Sequence, residues 1–140
     1  MNILVTGAAG YIGSVVTDQL VKPGNKVVAL DNLKYGHREA VNSAALFYEV
    51  DLRDPEAVDM IFYQWHIDVV VHLAAESLVG RSVSEPRMYF ESNVVYGMTL
   101  LQIMLKHGVE RIIFSSTASV YGTLGQVPIT ERSPKKPVNP

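Results

Sequence analysis

The chain has 140 residues, of which 48% are hydrophobic and 19% charged, and its mean hydropathy is +0.14. That is one globular domain's worth of sequence, too apolar for a disordered chain and without the run of about 18 apolar residues that a membrane span requires. A net charge of −2, no block of lysine or arginine and no cysteine argue against nucleic-acid binding, disulfides and thiolate metal sites; the lack of cysteine suits the cytoplasm, and the apolar run starting at Asn2 leaves no room for a signal-peptide pattern.

Two kinds of hydrophobic pattern alternate along the chain. Short, nearly continuous apolar runs at 2–6 (NILVT), 26–30 (KVVAL), 46–50 (LFYEV), 68–73 (DVVVHL) and 111–116 (RIIFSS) predict strands buried on both faces, the habit of parallel sheets. Between them lie helical periods. Ile12, Val15, Val16 and Leu20 mark a helix over 11–21 that Pro23-Gly24 stops. Val58, Ile61, Phe62 and Trp65 mark a second over 54–65, with Asp54 as N-cap and Pro55 as its first residue. A third, long helix is expected over 86–107, ended by Gly108. The stretch between the fourth strand and the third helix and the run after Tyr121 read as loop. The order predicts an α/β fold, a doubly wound parallel sheet with five strands and right-handed crossovers.

The turn between the first strand and first helix reads VTGAAGYIGS. Gly7, Gly10 and Gly13 are spaced G-x-x-G-x-x-G, a variant of the dinucleotide fingerprint. Glycine permits a positive φ there and lets a pyrophosphate approach bare backbone, while the helix N-terminus offers free N–H groups and the positive end of its dipole. Asp31 ends the second strand, 18 residues after Gly13. A carboxylate in that position accepts hydrogen bonds from an adenosine ribose and repels a 2′-phosphate, so NAD is expected over NADP. His37, His66, His72 and His107 have no metal-ligand spacing, and no metal site is expected.

With glycines and acid on one sheet, the whole chain resembles the N-terminal part of the extended short-chain dehydrogenase/reductases, and within them the UDP-glucose 4-epimerases. TGAAGYIGS, DLRD (51–54), HLAAESLVGRSV (72–83) and FSSTASVYG (114–122) carry the resemblance. It implies a Rossmann-like NAD-binding domain over 1–140. It places Gly7, Gly10, Tyr11, Ile12 and Gly13 along the pyrophosphate, Asp31 and Asn32 at the ribose, and Asp51 and Leu52 at the adenine. Leu73, Ala74 and Ala75 would pass beneath the dinucleotide, Asn93 would face it or its water, and Thr117 would be the catalytic hydroxyl near the reacting sugar carbon.

The family reaction inverts a hydroxyl-bearing carbon of a UDP-hexose through a 4-keto intermediate, with a tyrosine as base. A free phenol titrates near pKa ~10, so it needs a cation beside it, which the family supplies as lysine in Tyr-x-x-x-Lys. None of the seven tyrosines here has lysine four residues on. The resemblance thus implies a chain that stops just before the base, without the substrate domain and inactive alone. It also leaves an uncovered fifth strand that invites homodimers or other self-association. A non-catalytic NAD-binding module and another nucleotide-sugar epimerase, dehydratase or decarboxylase are the competing readings.

Overall fold

The computed structural model describes residues 1–123 and 127–140. Five parallel strands form one sheet in the order β3-β2-β1-β4-β5: β1 (Asn2–Thr6), β2 (Lys26–Asp31), β3 (Leu46–Glu49), β4 (Val69–His72) and β5 (Ile112–Phe114). All five expected strands are present, trimmed or extended by one or two residues at their ends. Side chains alternate across the sheet. Leu4, Val28, Leu30 and Val70 face one way, into a core with Val58, Ile61, Phe62, Leu100 and Met104. Ile3, Val5, Val27, Ala29 and Val71 face the other way, packed with Val16 and Leu20. Helices thus cover both faces, which is why the central strands are apolar throughout rather than at every second residue.

Helix α1 (Tyr11–Val21) and helix α2 (Pro55–Trp65) take the expected bounds. The Asp54 side chain caps α2 by accepting from the Ala57 amide at 3.0 Å, and Pro55 opens the helix. The stretch between β4 and Pro86 is not all loop: it contains a short helix, α3 (Val79–Ser84). No apolar period announces α3, because its contacts run opposite to hydropathy: Ser82 is buried while Val79 and Val83 are exposed.

The long helix expected over 86–107 is helical throughout but divided. Helix α4 (Pro86–Phe90) leads into a π-helical turn over Glu91–Val95, and α5 (Tyr96–Lys106) follows. Gly108 has φ +68°, the left-handed conformation expected of the residue that ends such a helix. After β5 a 3₁₀ turn (Ala118–Tyr121) precedes the expected loop, and part of that loop lies outside the described residues. The closing segment folds back on α3, where Asn139 donates to the Ser82 hydroxyl at 3.1 Å. Among the described residues no sixth strand covers β5, and Ile113 and Phe114 are about 60% exposed (61% and 60%). No helix among the described residues is long and apolar enough to cross a membrane.

A buried polar link ties β1 to β4 at their carboxyl ends. Thr6 Oγ1 and His72 Nδ1 are 2.7 Å apart, and the Ala74 amide donates to the same hydroxyl at 3.4 Å. The Thr6 hydroxyl accepts from Ala74, and either it or the His72 ring nitrogen donates in the short contact between them, according to the imidazole tautomer. Burial pushes the His72 pKa down. The folded state then binds this proton less readily than the unfolded chain, whose histidine titrates near pH ~6.5. Stability is complete above that pH and is lost as pH falls through it toward the lower folded value. Urea unfolding between pH 7.5 and 5.5 is expected to show stability falling toward acid, at no more than about 1.4 kcal/mol per pH unit from this one proton. His72→Gln is expected to flatten that slope; an unchanged slope in the variant assigns it to other groups.

Candidate functional site

The site is built on the carboxyl ends of β1, β2 and β4, where a parallel sheet leaves a crevice between its crossover helices. Gly7 follows β1 with φ +70°, and a Cβ placed there would sit 2.7 Å from the Ala74 nitrogen. Gly13 lies on α1 so close to the turn that its Cβ would be 1.9 Å from the Gly7 carbonyl oxygen. No side chain fits at either position, so backbone is brought together on both sides of the turn. Gly10 caps α1 without a side-chain hydrogen bond. By helix geometry the first-turn N–H groups of Tyr11, Ile12 and Gly13 have no partner within the helix, and they open on the turn. Tyr11 is 89% exposed and Ile12 59%, both on the first turn of α1.

Asp31 stands where the acidic residue was expected, but both its oxygens already hold backbone. Oδ2 accepts from the Ala9 amide at 2.9 Å and Oδ1 from the Leu33 amide at 2.8 Å. The carboxylate thus fixes the glycine turn to the exit of β2, and its remaining lone pairs are what a ribose hydroxyl could reach. The following loop is held to the same turn: the His37 amide donates to the Ala9 carbonyl at 3.0 Å, and Gly36 passes so near Ala9 that a Cβ would be 2.7 Å from the Ala9 methyl.

Asn32 and Asp51 form a second group beside Asp31. The Asn32 amide donates to Asp51 Oδ2 at 2.7 Å, and Arg53 reaches the same oxygen at 3.0 Å. The Arg53 amide donates to the other oxygen at 2.9 Å. Burial pushes the Asp51 carboxyl up, but these donors outweigh it and hold it below the ordinary carboxylate range. Leu52 packs against the core, which anchors this corner.

Leu73 and Ala74 leave β4 directly against Gly7, as small or backbone-presenting residues must. Ala75 is exposed beside them. Asn93 holds the Glu76 backbone with both ends of its amide. Its Oδ1 accepts from the Glu76 amide at 2.8 Å, and its Nδ2 donates to the Glu76 carbonyl at 3.0 Å. Asn93 sits in the π turn and pins the loop that follows β4. Thr117 lies beyond β5 on the same edge of the sheet, since the Ser115 amide donates to the His72 carbonyl. The Thr117 oxygen accepts from the Ser119 amide at 3.1 Å, capping the 3₁₀ turn and leaving its hydroxyl proton free to be donated. The structure thus gathers the glycines, Asp31, Leu73 and Ala74 around one turn, sets Asn32 and Asp51 to one side, and leaves Thr117 apart.

Glu76 is the site residue that sequence reasoning missed. It is only 8% exposed, pairs with Lys34 Nζ and accepts from the Tyr35 hydroxyl at 3.0 Å. No local pattern distinguishes it, because its partners lie more than forty residues away. No group of three or more histidine or acidic side chains among the described residues could hold a metal ion.

Known proteins share both the sequence and this arrangement. The family model described as NAD dependent epimerase/dehydratase family matches residues 3–140. A UDP-glucose 4-epimerase of Halalkalibacterium halodurans is 50% identical over 140 residues, which are all of this chain and 42% of that protein. Solved structures agree. A Thermus thermophilus UDP-glucose 4-epimerase in complex with NAD superposes with a TM-score of 0.94 at 39% identity, covering 99% of this chain and 45% of the other. A Thermotoga maritima UDP-glucose 4-epimerase with UDP-glucose gives 0.93 at 41% identity, covering 99% and 46%. The chain spans less than half the length of these relatives. It belongs to the NAD dependent epimerase/dehydratase family.

Proposed function

We propose that this chain is the dinucleotide-binding part of an NAD-dependent UDP-glucose 4-epimerase, acting on a UDP-hexose in the cytoplasm. The observation that carries the reading is the closed space at Gly7 and Gly13. A cradle that no Cβ could enter is shaped for backbone to meet a ligand, and the first-turn N–H groups of α1 supply donors for a pyrophosphate. Asp31 places a negative charge where the ribose would lie. Asn32 and Asp51 would border the adenine, and Leu73 and Ala74 would let the dinucleotide pass close to backbone. In this reading residues 1–140 hold the cofactor, while the base, its lysine and most of the hexose-binding residues are not among them.

NAD, when bound, accepts and returns the hydride that lets a sugar carbon invert through a ketone. The residues of this chain bind and orient. The glycine turn and α1 fix the phosphates, Asp31 fixes the ribose, and the Thr117 hydroxyl, free to donate, would steer a sugar oxygen. None of these is a base, since none of the seven tyrosines carries lysine one helical turn on.

Calorimetric titration of the 140-residue chain is expected to show NAD binding at least tenfold tighter than NADP, a difference of about 1.4 kcal/mol. Asp31→Ala is expected to weaken NAD and to narrow that ratio; no heat with either nucleotide removes the reading. The same chain, assayed for UDP-glucose and UDP-galactose interconversion, is expected to give no turnover above trace contamination, and clear turnover would locate a base among residues 1–140. The bare β5 edge, with Ile112, Ile113 and Phe114 exposed, leads us to infer that the chain associates with itself. Sedimentation is expected to show concentration-dependent species larger than a monomer; a clean monomer at high concentration counts against it.

A further inference from the structure

Lys34 and Tyr35 stand on the loop that leaves β2, and Glu76 on the loop that leaves β4. β1 lies between those two strands, so the loops flank the glycine cradle on either side. A carboxylate as buried as that of Glu76 is costly unless paired and hydrogen-bonded. Both of its oxygens are used, one by Lys34 Nζ and the other by the Tyr35 hydroxyl. The Tyr35 oxygen in turn accepts from Arg81 of α3 at 3.1 Å. Neither loop is free to drift: the Glu76 backbone is held on both sides by Asn93, and the β2 loop is held to Ala9 by His37 and Asp31. The paired carboxylate also holds the Lys34 ammonium above the ordinary lysine range.

A dinucleotide laid from Asp31 to Leu73 and Ala74 has to pass between these two loops. We propose that Lys34, Tyr35 and Glu76 form a clasp across the mouth of the cradle, which must open for the pyrophosphate to be taken up or released. They are positioning residues: the clasp sets the spacing of the loops and the rate of exchange. Opening leaves Glu76 buried without a partner, so the closed form dominates until a ligand compensates. The proposal rests on the dinucleotide reading of the cradle.

The test follows NADH fluorescence in a stopped-flow instrument, with uptake by the 140-residue chain and release into excess NAD measured separately. Glu76→Gln and Lys34→Gln are each expected to speed both uptake and release at least threefold. The double variant is expected to add no more than either single change, because one link is broken in all three. Tyr35→Phe keeps the ion pair, is the mildest change to the fold, and is expected to give a smaller increase in the same direction. Rates that stay within twofold of the parent in Tyr35→Phe and Glu76→Gln alike overturn the clasp while leaving dinucleotide binding intact. An effect of Lys34→Gln alone, with Glu76→Gln unchanged or slower, makes Lys34 a direct phosphate contact and also overturns it. A parent chain that binds no NADH removes the dinucleotide reading, and the clasp with it.

Discussion

The close approach of backbone at Gly7 governs the rest of this molecule. β1 ends at the residue before it, α1 begins four residues later, and the chain leaving β4 passes so near that an ideal Cβ would lie 2.7 Å from the Ala74 nitrogen. The two contacts, Gly7 with Ala74 and Gly13 with the Gly7 carbonyl, set how far β4 and α1 stand from β1. Everything at the carboxyl edge inherits that spacing. A methyl group at either glycine would have to displace main chain, which in a sheet buried on both faces cannot move without shifting Leu4, Val5 and Val70 as well.

Hydrogen bonds then convert a close-packed turn into a defined surface. Thr6, His72 and Ala74 lock the ends of β1 and β4 together, and Asp31 does the same for the glycine turn and the exit of β2. Asp31 serves the fold in this way, each of its oxygens accepting from a backbone N–H group on a different segment, and a carboxylate so held does not turn. A similar support appears at Asn93, whose amide bonds the Glu76 backbone at both ends. Preorganisation of this kind lowers the ordering cost of binding, because the glycine turn and its supports are already fixed.

Much of this was legible in the amino-acid order because it depends on near neighbours. The five apolar runs, the Asp54 cap with Pro55, the stop at Gly108 and the spacing of Gly7, Gly10 and Gly13 each act over a few residues. What was not legible acts at long range. A π turn adds a residue to a helical repeat without changing its composition, so the stripe over 86–107 reads as unbroken. Only Asn93 meeting Glu76 shows what the turn positions. Helix α3 escaped because it buries a serine and exposes valines, in answer to Asn139 more than fifty residues away. Glu76 escaped for the same reason, since a lone glutamate in a loop becomes notable only when Lys34 and Tyr35 arrive beside it.

Binding and chemistry place opposite demands on such a scaffold, which accounts for where the functional groups lie. A dinucleotide cradle needs fixed backbone, and β1, β2 and β4 supply it from the interior of the sheet, where every strand has two neighbours. Proton transfer needs a group free to move toward a substrate, with a cation to lower its pKa. Thr117 meets only the first of those conditions. It is exposed, beyond the edge strand β5, and its hydroxyl proton is uncommitted, but a threonine hydroxyl does not ionise near neutrality. The lysines nearest to tyrosine rings are Lys34 over Tyr35 at 4.9 Å and Lys135 over Tyr121 at 5.8 Å, and both lie over the ring face rather than one helical turn from the hydroxyl. Lys34 is also paired with Glu76, so its charge is committed to that carboxylate. These 140 residues thus set no lysine one helical turn beyond a tyrosine, and the arrangement that would make a phenol a base is not formed among them.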